Sequence, residues 1–398
     1  MLKCIFASRL SIRSCMQFFS SNFKLGILGG GQLGKMLLYD AKRYDLHTKV
    51  MDSDENAPCF KIADEFVIGD ITNYQDVVNF GKKVDLLTVE IENINTDALE
   101  FLENSGKKVY PSPKTLKIIQ NKSDQKYFYI KNHLPTSKFK SYSNIDELKK
   151  SFQKDNFKFP FVWKSSKFGY DGKGVKIING IDDLDFIYDD QCIIEEKVSI
   201  NKELSVIVSR NFKGQIKCFP VVEMEFNQNS NLVEYVMCPA NISKEIENNA
   251  ISIAKKVSQK FEMVGLLAVE LFLTDNQEIL INEVAPRPHN SGHHTIECCM
   301  TSQFDQHIRC ILNLPLGQTE VLIPGIMVNL VGENKDEGNV TYKNIDEIFD
   351  IPGVFIHLYG KKKSRLNRKM GHITIVNKDI KEAIQIGKSI KDKIKVTA

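Results

Sequence analysis

The stretch "GLLAVELFLTDNQEILINEVAPR", residues 265–287, decides the fold of this chain. Two apolar runs flank a short polar segment, and this pattern predicts a β-hairpin. If Asn276 and Gln277 are the two central residues of the turn, Glu270 falls directly opposite Glu283. Facing carboxylates repel each other, and a divalent cation between them removes the repulsion. We therefore expect a metal site at Glu270 and Glu283, although two solvated charges on an edge hairpin are the simpler alternative.

The expected metal is Mg²⁺, with Mn²⁺ as a substitute. Magnesium uses few carboxylates and completes its octahedron with water and phosphate oxygens. Asn282, the neighbour of Glu283, adds another oxygen. The hairpin therefore predicts a metal that works together with a phosphate ligand.

A second stretch, "FGYDGKGV" at 168–175, places three glycines between two predicted strands. Such glycines let backbone N–H groups approach phosphate oxygens, and Lys164 at the end of the preceding strand adds charge. "IIEEKV" at 193–198 is an acidic strand suited to an adenine, and Glu203 is suited to ribose hydroxyls. This order describes an ATP site clamped between two antiparallel sheets, although the glycine segment alone also fits a flexible turn. A P-loop motif is absent.

The N-terminal stretch "KLGILGGGQLGKMLL", residues 24–38, fits G-x-G-x-x-G, and Asp52 follows about 20 residues later, as a ribose-binding acid does in a dinucleotide fold. Predicted strands at 24–28, 48–52, 84–90 and 107–112 are separated by helical patterns, which indicates a parallel sheet. A nicotinamide-dependent oxidoreductase is therefore a rival hypothesis. It leaves the two stretches described above unexplained.

Length and composition limit the other classes. The chain has 398 residues, enough for two or three domains, and a net charge of +3 from 53 basic and 50 acidic residues. This balance gives no reason to expect nucleic acid as a partner, and no apolar run is long enough for a membrane helix. Nine cysteines without a C-x-x-C pair indicate reduced thiols and a cytoplasmic protein.

The first 22 residues contain Lys and Arg but no acidic residue. We expect a disordered or mis-assigned extension with Met16 as the working start. An organellar presequence is the alternative.

Six blocks together resemble one family. They are "GILGGGQLGKML", "TVEIENI", "FGYDGKG", "AVELF", "INEVAPRPHNSGHHTIE" and "YGK…RKMGH", in this order between about residues 23 and 390. They are similar to the ATP-grasp superfamily and, within it, to the N5-carboxyaminoimidazole ribonucleotide synthetases of purine biosynthesis. The resemblance implies an α/β and α+β chain with an ATP-grasp fold. The implied parts are an N-terminal parallel-sheet substrate domain at 23–119, a lid at 120–200, a core with the metal site at 201–320, and a small β-rich C-terminal domain at 321–398.

The resemblance also implies a reaction. Such enzymes use ATP and bicarbonate to carboxylate the exocyclic amine of 5-aminoimidazole ribonucleotide through carboxyphosphate. We accordingly expect a homodimer that passes its product to a separate mutase chain. Another ATP-grasp ligase, such as a formate-dependent glycinamide ribonucleotide transformylase, is the nearest rival, and a non-catalytic nucleotide-binding module is a third reading.

The site residues that the resemblance implies fall into three groups. Expected ATP contacts are Lys122, Lys164, Gly169, Tyr170, Asp171, Gly172, Lys173, Gly174, Val175, Glu195, Glu196, Lys197, Val198, Glu203, Asn282 and Glu283. Expected contacts to the ribonucleotide are Gly31, Gln32, Leu33, Glu90, Tyr170, Lys361 and Arg368. Expected catalytic residues are Arg287, His289, Asn290, Asp171 and Lys361.

Some of these assignments have alternatives or depart from the family pattern. Arg287 offers a planar fork for bicarbonate, while His289, crowded with His293 and His294, orients the anion or is a structural histidine. Glu90 is alternatively a helix-capping or solvated acid. Lys122 stands where Arg is common, and Phe226 stands where some relatives have a nucleotide-contacting His.

Overall fold

The computed structural model describes residues 18–154, 159–167, 174–187 and 191–398. Its N-terminal part is a five-stranded parallel sheet in the order β3-β2-β1-β4-β5. The strands are β1 Lys24–Leu28, β2 His47–Asp52, β3 Glu65–Ile68, β4 Leu86–Val89 and β5 Lys108–Val109, and the helices are α1 Gln32–Arg43, α2 Tyr74–Gly81, α3 Thr96–Asn104 and α4 Pro113–Ile119. The predicted parallel sheet is confirmed, with β3 as an edge strand that the sequence pattern did not indicate.

A separate four-stranded antiparallel sheet follows, in the order β6-β9-β7-β8. Its elements are α5 Lys122–Lys131, β6 Phe139–Tyr142, α6 Ile145–Lys154, β7 Phe161–Ser165, β8 Val175–Ile178, a 3₁₀ turn at Ile181–Phe186 and β9 Cys192–Glu196. Asn121 caps α5 by accepting hydrogen bonds from the N–H groups of Ser123 and Asp124. This cap fixes the first residue of α5, Lys122, at the helix end that faces the large sheet.

The large sheet has nine strands in the order β15-β14-β10-β12-β13-β16-β21-β19, with β11 paired to β10. Its first elements are β10 Ile200–Arg210, β11 Ile216–Cys218, β12 Val222–Phe226, β13 Val233–Cys238, α7 Lys244–Lys260, β14 Gly265–Thr274, β15 Ile279–Ala285, a 3₁₀ turn at Asn290–Gly292, α8 Thr295–Cys298 and α9 Gln303–Ile311. The face of α7 that carries Ile253 and Val257 packs on Val206 and Leu267 of this sheet in the largest apolar core.

The C-terminal elements are β16 Gly325–Val331, β17 Gly338–Asn339, β18 Thr341–Lys343, a 3₁₀ turn at Ile345–Ile348, β19 Val354–Leu358, β20 Lys363–Ser364, β21 Lys369–Val376, α10 Ile380–Lys393 and β22 Lys395–Thr397. Strands β16, β21 and β19 extend the large sheet, while β17 pairs with β20 and β18 with β22 in two small sheets. Because β16 pairs with β13 through Tyr235 and Val328, the sheet runs across the boundary expected near residue 320.

Helix α9 joins the N-terminal part to the large sheet. Its Phe304 and Ile308 pack against Leu37 of α1 in one buried cluster. His307 of α9 also shares a buried 2.8 Å hydrogen bond with Thr88 Oγ1 of β4. These contacts fix the carboxyl ends of the parallel strands relative to the hairpin β14–β15.

Two further facts concern the expectations for the chain. Phe18, placed by sequence in the N-terminal extension, lies edge-to-face on Phe23 with ring centroids 5.5 Å apart. Over the described part of the chain, every helix is too short or too polar to cross a bilayer.

Gly353, just before β19, tests how tightly the C-terminal strands fit. It has a φ of +78°, and an added Cβ would lie 2.4 Å from the carbonyl oxygen of Val376. We expect Gly353→Ala to lower the free energy of unfolding by about 2–4 kcal/mol, since left-handed strain adds to overpacking. Gly106→Ala is the matched control, because Gly106 also has positive φ (+90°) but nothing within 4 Å of an added Cβ. Equal losses in urea unfolding of the two variants would contradict the tight fit.

Candidate active site

The hairpin β14–β15 has a bulge at its acidic residues. Its turn spans three residues, with Thr274 N–H donating to Glu278 O at 2.9 Å and Gln277 at a φ of 64°. Our prediction of a two-residue turn is therefore wrong. On the turn side of the acidic residues, Leu271 pairs with Ile281. Beyond the register shift Val269 pairs with Val284, so Glu270 lies opposite both Asn282 and Glu283. The expected opposition of the two carboxylates survives, because a bulge corrects the register.

The bulge turns two consecutive side chains toward one cleft. Lys122 Nζ lies 2.5 Å from Glu283 Oε2, and Lys164 Nζ donates to Asn282 Oδ1 at 3.0 Å. In a regular strand, neighbouring side chains point to opposite faces. Both oxygen donors therefore face the small antiparallel sheet and α5.

Three carboxylates share this cleft. Burial raises the pKa of Glu270, and the neighbouring charges of Glu283 and Glu203 raise it further. Burial, assisted by Glu283, also raises the pKa of Glu203 to about 7. Burial opposes ionisation of Glu283 as well, but the ammonium of Lys122 outweighs it and lowers the pKa of that carboxyl.

This donor set fits a magnesium ion. The described ranges contain no cluster of three or more His, Cys, Asp and Glu side chains arranged around one metal position. Glu270, Glu283 and Asn282 instead offer two carboxylates and one amide oxygen, the small set that Mg²⁺ takes when phosphate and water complete its shell. A cation would also relieve the mutual repulsion that raises the pKa of Glu270.

A buried chain of charges lies beside the carboxylates of the hairpin. Lys164 Nζ is 3.1 Å from Glu195 Oε1, and Lys126 Nζ is 3.2 Å from Glu195 Oε2. Burial works to raise the pKa of Glu195, but the two lysines hold it at about 2. Burial lowers the pKa of Lys126 to about 8, although Glu195 opposes this shift. The side chain of Glu195, which we expected beside an adenine, is therefore held between two lysines.

The remaining expected ATP contacts are placed only in part. Glu196 and Lys197 are exposed, and Lys197 and Val198 line a surface cleft beside Pro160. In the glycine segment, Gly174 has a φ of +74° and accepts a hydrogen bond from Ser165 N–H, and Val175 begins β8. The other expected contacts of this segment lie outside the described residues: Gly169, Tyr170, Asp171, Gly172 and Lys173.

Beyond β15 the chain forms a polar loop against the hairpin. The guanidinium of Arg287 donates to both carboxylate oxygens of Glu92, at 2.5 and 3.1 Å. His289 Nε2 lies 3.5 Å from Glu270 Oε1, and His289 Nδ1 lies 2.9 Å from Ser291 Oγ. Burial, with the charge of Arg287, lowers the pKa of His289 to about 3. The imidazole is therefore neutral at physiological pH.

Asn290 has the clearest unmet bonding capacity in this loop. The residue is 8% exposed, and both polar atoms of its amide are buried without a hydrogen-bond partner among the described residues. A buried, unpaired amide is costly. Its donor and acceptor together fit a small anion that carries an O–H group.

The two other histidines of the loop do not face the cleft. His293 stacks on His372 with centroids 4.6 Å apart, and His294 Nδ1 bonds to the backbone oxygen of Ser291 at 3.0 Å. Of the three crowded histidines, only His289 therefore contacts the carboxylates of the hairpin.

The glycine loop before α1 holds carboxylates of its own chain. Asp52 accepts from Gly30 N–H at 2.6 Å, and Glu90 accepts from Leu33 N–H at 3.1 Å. A Cβ on Gly31 would lie 2.4 Å from Glu90 Oε1. These carboxylates occupy the amides that a dinucleotide pyrophosphate would need and would repel it. Asp52 therefore holds the glycine loop in place. Glu90 accepts a hydrogen bond at the start of α1, which agrees with the alternative of a helix-capping acid.

Two expected ribonucleotide contacts, Lys361 and Arg368, lie in the C-terminal segment between β19 and β21. Lys361 Nζ donates to Lys369 O at 2.8 Å and lies 5.8 Å above the ring of Tyr359. It is close enough to Glu90 to work against the rise in the pKa of that carboxyl. Arg368 Nη1 donates to Lys363 O at 2.7 Å. Both cations thus sit between β19 and β21, while their joint contact with a ribonucleotide stays a prediction.

Sequence reasoning missed three residues of the site. Glu92 lies two positions after Glu90, and an extended chain points such residues to one side. Lys126 lies one helical turn after Lys122, so the spacing placed it on the same face. Gln303 accepts from His289 N–H and donates to His289 O, both at 2.8 Å. No signal in the sequence pointed to it.

Comparison with protein families finds three matches in order along the chain. Residues 23–120 match the ribonucleotide synthetase preATP-grasp domain, residues 127–304 the ATP-grasp domain, and residues 325–386 the phosphoribosylaminoimidazole carboxylase C-terminal domain.

Two curated relatives cover most of the chain. The N5-carboxyaminoimidazole ribonucleotide synthase of Bacillus subtilis is 37% identical over 365 residues, covering 91% of this chain and 93% of the relative. The chloroplastic phosphoribosylaminoimidazole carboxylase of Vigna aconitifolia is 38% identical over 387 residues, covering 94% of this chain and 68% of the relative. The chain thus spans nearly all of the bacterial relative and about two thirds of the plant one.

Solved structures share the fold. The N5-carboxyaminoimidazole ribonucleotide synthetase of Thermotoga maritima superposes with a TM-score of 0.87 at 42% identity, covering 94% of this chain and 99% of the other. The synthase of Aspergillus clavatus in complex with ADP and 5-aminoimidazole ribonucleotide superposes with a TM-score of 0.82 at 33% identity, covering 93% and 98%.

Glu283→Gln tests the metal position. The change keeps the volume but leaves one carboxylate where there were two, so we expect ATP turnover to be abolished and Mg²⁺ affinity to fall by about tenfold or more. Thermal unfolding should show a folded variant. Glu278→Gln, on the exposed turn of the same hairpin, is the matched control and should behave like the parent. Equal Mg²⁺ affinity in Glu283→Gln and the parent would mean that the pair is structural.

Proposed function

Since this chain belongs to the N5-carboxyaminoimidazole ribonucleotide synthase family of ATP-grasp enzymes, we propose that it carboxylates 5-aminoimidazole ribonucleotide at the expense of ATP. The carbon comes from bicarbonate, and the products are N5-carboxyaminoimidazole ribonucleotide, ADP and phosphate. The enzyme is an ATP-dependent carbon–nitrogen ligase of purine biosynthesis. The observation that carries the proposal is the loop Arg287–Asn290 placed directly against the two-carboxylate hairpin.

ATP binds between the small antiparallel sheet and the large one. Lys164 and Lys122 contact the polyphosphate, and each must leave the oxygen that it holds here, Asn282 or Glu283. Glu270, Glu283 and Asn282 would hold Mg²⁺, which when bound neutralises charge on the β- and γ-phosphate oxygens. Glu203 is available for the ribose hydroxyls.

Bicarbonate binds in the loop after β15. Arg287 supplies a fork for its oxygens, and the unpaired amide of Asn290 donates to one oxygen and accepts from the O–H group. His289, neutral and held by Ser291, orients the anion beside Glu270. We assign to these groups the task of holding bicarbonate beside the γ-phosphate.

The chemistry then takes two steps. A bicarbonate oxygen forms a bond to the γ-phosphorus while the bond to ADP breaks, which gives carboxyphosphate. The exocyclic amine then forms a bond to the carboxyl carbon, phosphate leaves, and the amine loses a proton, which we assign to Asp171. Lys122 and Lys164 stabilise the transferring phosphoryl group by their charge, and a cation held by Glu270 and Glu283 would add to this stabilisation.

The ribonucleotide binds across the N-terminal loops and the C-terminal segment. Gly31, Gln32, Leu33 and Glu90 contact it from the N-terminal loops, and Lys361 and Arg368 from the C-terminal segment. Tyr170, which we also assign to the ribonucleotide, lies outside the described residues. Because carboxylates already fill two amides of the glycine loop, the substrate phosphate depends more on Lys361 and Arg368 than on the loop.

The nearest alternative, a formate-dependent transformylase, shares the ATP site and differs in its one-carbon substrate. A nicotinamide oxidoreductase is disfavoured, since Glu90 and Asp52 block the pyrophosphate position. We further propose a cytoplasmic homodimer that delivers its product to a mutase on a separate chain; mass measurement in solution tests the dimer.

Omission of each substrate in turn tests the activity. We expect ADP release to require Mg²⁺ and bicarbonate and to be strongly stimulated by 5-aminoimidazole ribonucleotide, because the metal hairpin and the Arg287 loop act on one phosphoryl group. ADP is measured by a coupled assay in buffer purged of carbon dioxide. Full activity without bicarbonate, or activity restored by formate, would contradict the carboxylase assignment.

Lys361→Ala tests the ribonucleotide site. Its ammonium acts in ground-state binding, so we expect the KM for 5-aminoimidazole ribonucleotide to rise about tenfold, or ~1.4 kcal/mol, with the KM for ATP unchanged. Bicarbonate-dependent ATPase should survive. Lys363→Ala removes the same charge two residues away, where the side chain pairs with Glu337, and should have no effect. A rise in the ATP KM alone would show that Lys361 serves the nucleotide.

A further inference from the structure

Glu92 forms a bidentate ion pair that joins the N-terminal part of the chain to the loop after β15. Its two carboxylate oxygens accept from Nε and Nη2 of Arg287, 195 positions away in sequence. The side chains of Arg287 and Glu92 are 15% and 28% exposed. The pair is therefore mostly withdrawn from water.

The contact fixes the plane of the guanidinium. Arginine carries five N–H donors in one rigid plane, so holding the Nε edge against Glu92 sets the direction of the others. Nη1 donates to Pro288 O at 3.1 Å, which adds a third attachment. The side chain of Arg287 is already ordered by these contacts. Its guanidinium therefore loses little rotamer entropy when it binds a small anion.

The backbone around Glu92 is pinned as well. Gln120 Nε2 donates to the carbonyl oxygens of Glu92 and Ile94, at 2.8 and 2.7 Å. Gln120 follows directly after α4 and stands two residues before Lys122, which contacts Glu283. Two residues before Glu92, Glu90 contacts the start of α1. The loop that carries Glu90 and Glu92 thus contacts the start of α1 and Arg287 directly, and it is held by Gln120, a near neighbour of Lys122 in sequence.

We propose that Glu92 is a positioning residue that orients Arg287 for bicarbonate and ties that orientation to the ribonucleotide-binding loop. This inference rests on the proposed function and names a residue that acts through Arg287. The competing explanation is that the ion pair only stabilises the contact between these two parts of the chain. Partly buried ion pairs add little to stability, because desolvation offsets much of their attraction.

Steady-state kinetics of Glu92→Gln separate the two explanations. The variant keeps the shape and loses the charge, so we expect the KM for bicarbonate to rise about tenfold while the KM for ATP stays within about twofold of the parent. Stimulation of ADP release by 5-aminoimidazole ribonucleotide should also fall. Glu92→Asp keeps the charge with a shorter reach and should recover part of the bicarbonate affinity.

Two controls complete the experiment. Glu65, whose side chain is 34% exposed, forms ion pairs with Lys24 and Lys49 in the N-terminal parallel sheet. Glu65→Gln breaks these ion pairs and should leave every KM unchanged. Arg287→Lys removes the fork, so adding Glu92→Gln to it should cause no further loss if Glu92 acts through Arg287.

Several results would overturn the inference. They are an unchanged bicarbonate KM in folded Glu92→Gln, an equal rise in all three KM values, or full additivity with Arg287→Lys. If Glu92→Gln does not fold, the test uses Glu92→Asp. A bicarbonate KM of Glu92→Asp equal to that of the parent would then contradict the proposal. A parent enzyme that does not need bicarbonate would instead sink the proposed function.

Discussion

The opposition of Glu270 and Glu283 across a bulged hairpin is the constraint on which the rest of the site depends. Two carboxylates in a partly dry cleft repel each other, and Glu203 adds a third charge. Lys122 offsets part of this cost by pairing with Glu283. Magnesium and nucleotide phosphates would replace that pair, and the lysine would then be available to the polyphosphate. The carboxylate charges that repel one another therefore favour the binding of a cation.

Three separate parts of the chain deliver the other groups to this cleft. The small antiparallel sheet supplies Lys164 and Glu195, and α5 supplies Lys122 and Lys126. The turn after β15 supplies Arg287, His289 and Asn290, held in place by Gln303. Packing of α9 on α1 sets the N-terminal loops against that turn, which explains how Glu92 can reach Arg287 across 195 residues. The fold thus brings polar residues that are remote in sequence together around one cleft.

Sequence patterns predicted the elements that have a clear period or a clear charge conflict. The parallel sheet, the hairpin and the facing of Glu270 and Glu283 followed from alternation and glycine spacing. The bulge did not, because the two-residue turn and the three-residue turn with a bulge give the same opposition at Glu283. Glu195, Asp52 and Glu90 show the limit most plainly. Their partners are lysines and backbone amides of other elements, and the local sequence does not indicate which elements lie close together in the fold. Gln303 was missed for the same reason.

The central claim is that this cleft transfers the γ-phosphoryl group of ATP to bicarbonate. Bicarbonate labelled with ¹⁸O tests it most directly, with the phosphate released in the presence of 5-aminoimidazole ribonucleotide analysed by mass spectrometry before the label exchanges with water. Attack by a bicarbonate oxygen predicts one ¹⁸O atom in each phosphate formed. Phosphate without ¹⁸O, at an undiminished rate of ADP release, would contradict the account.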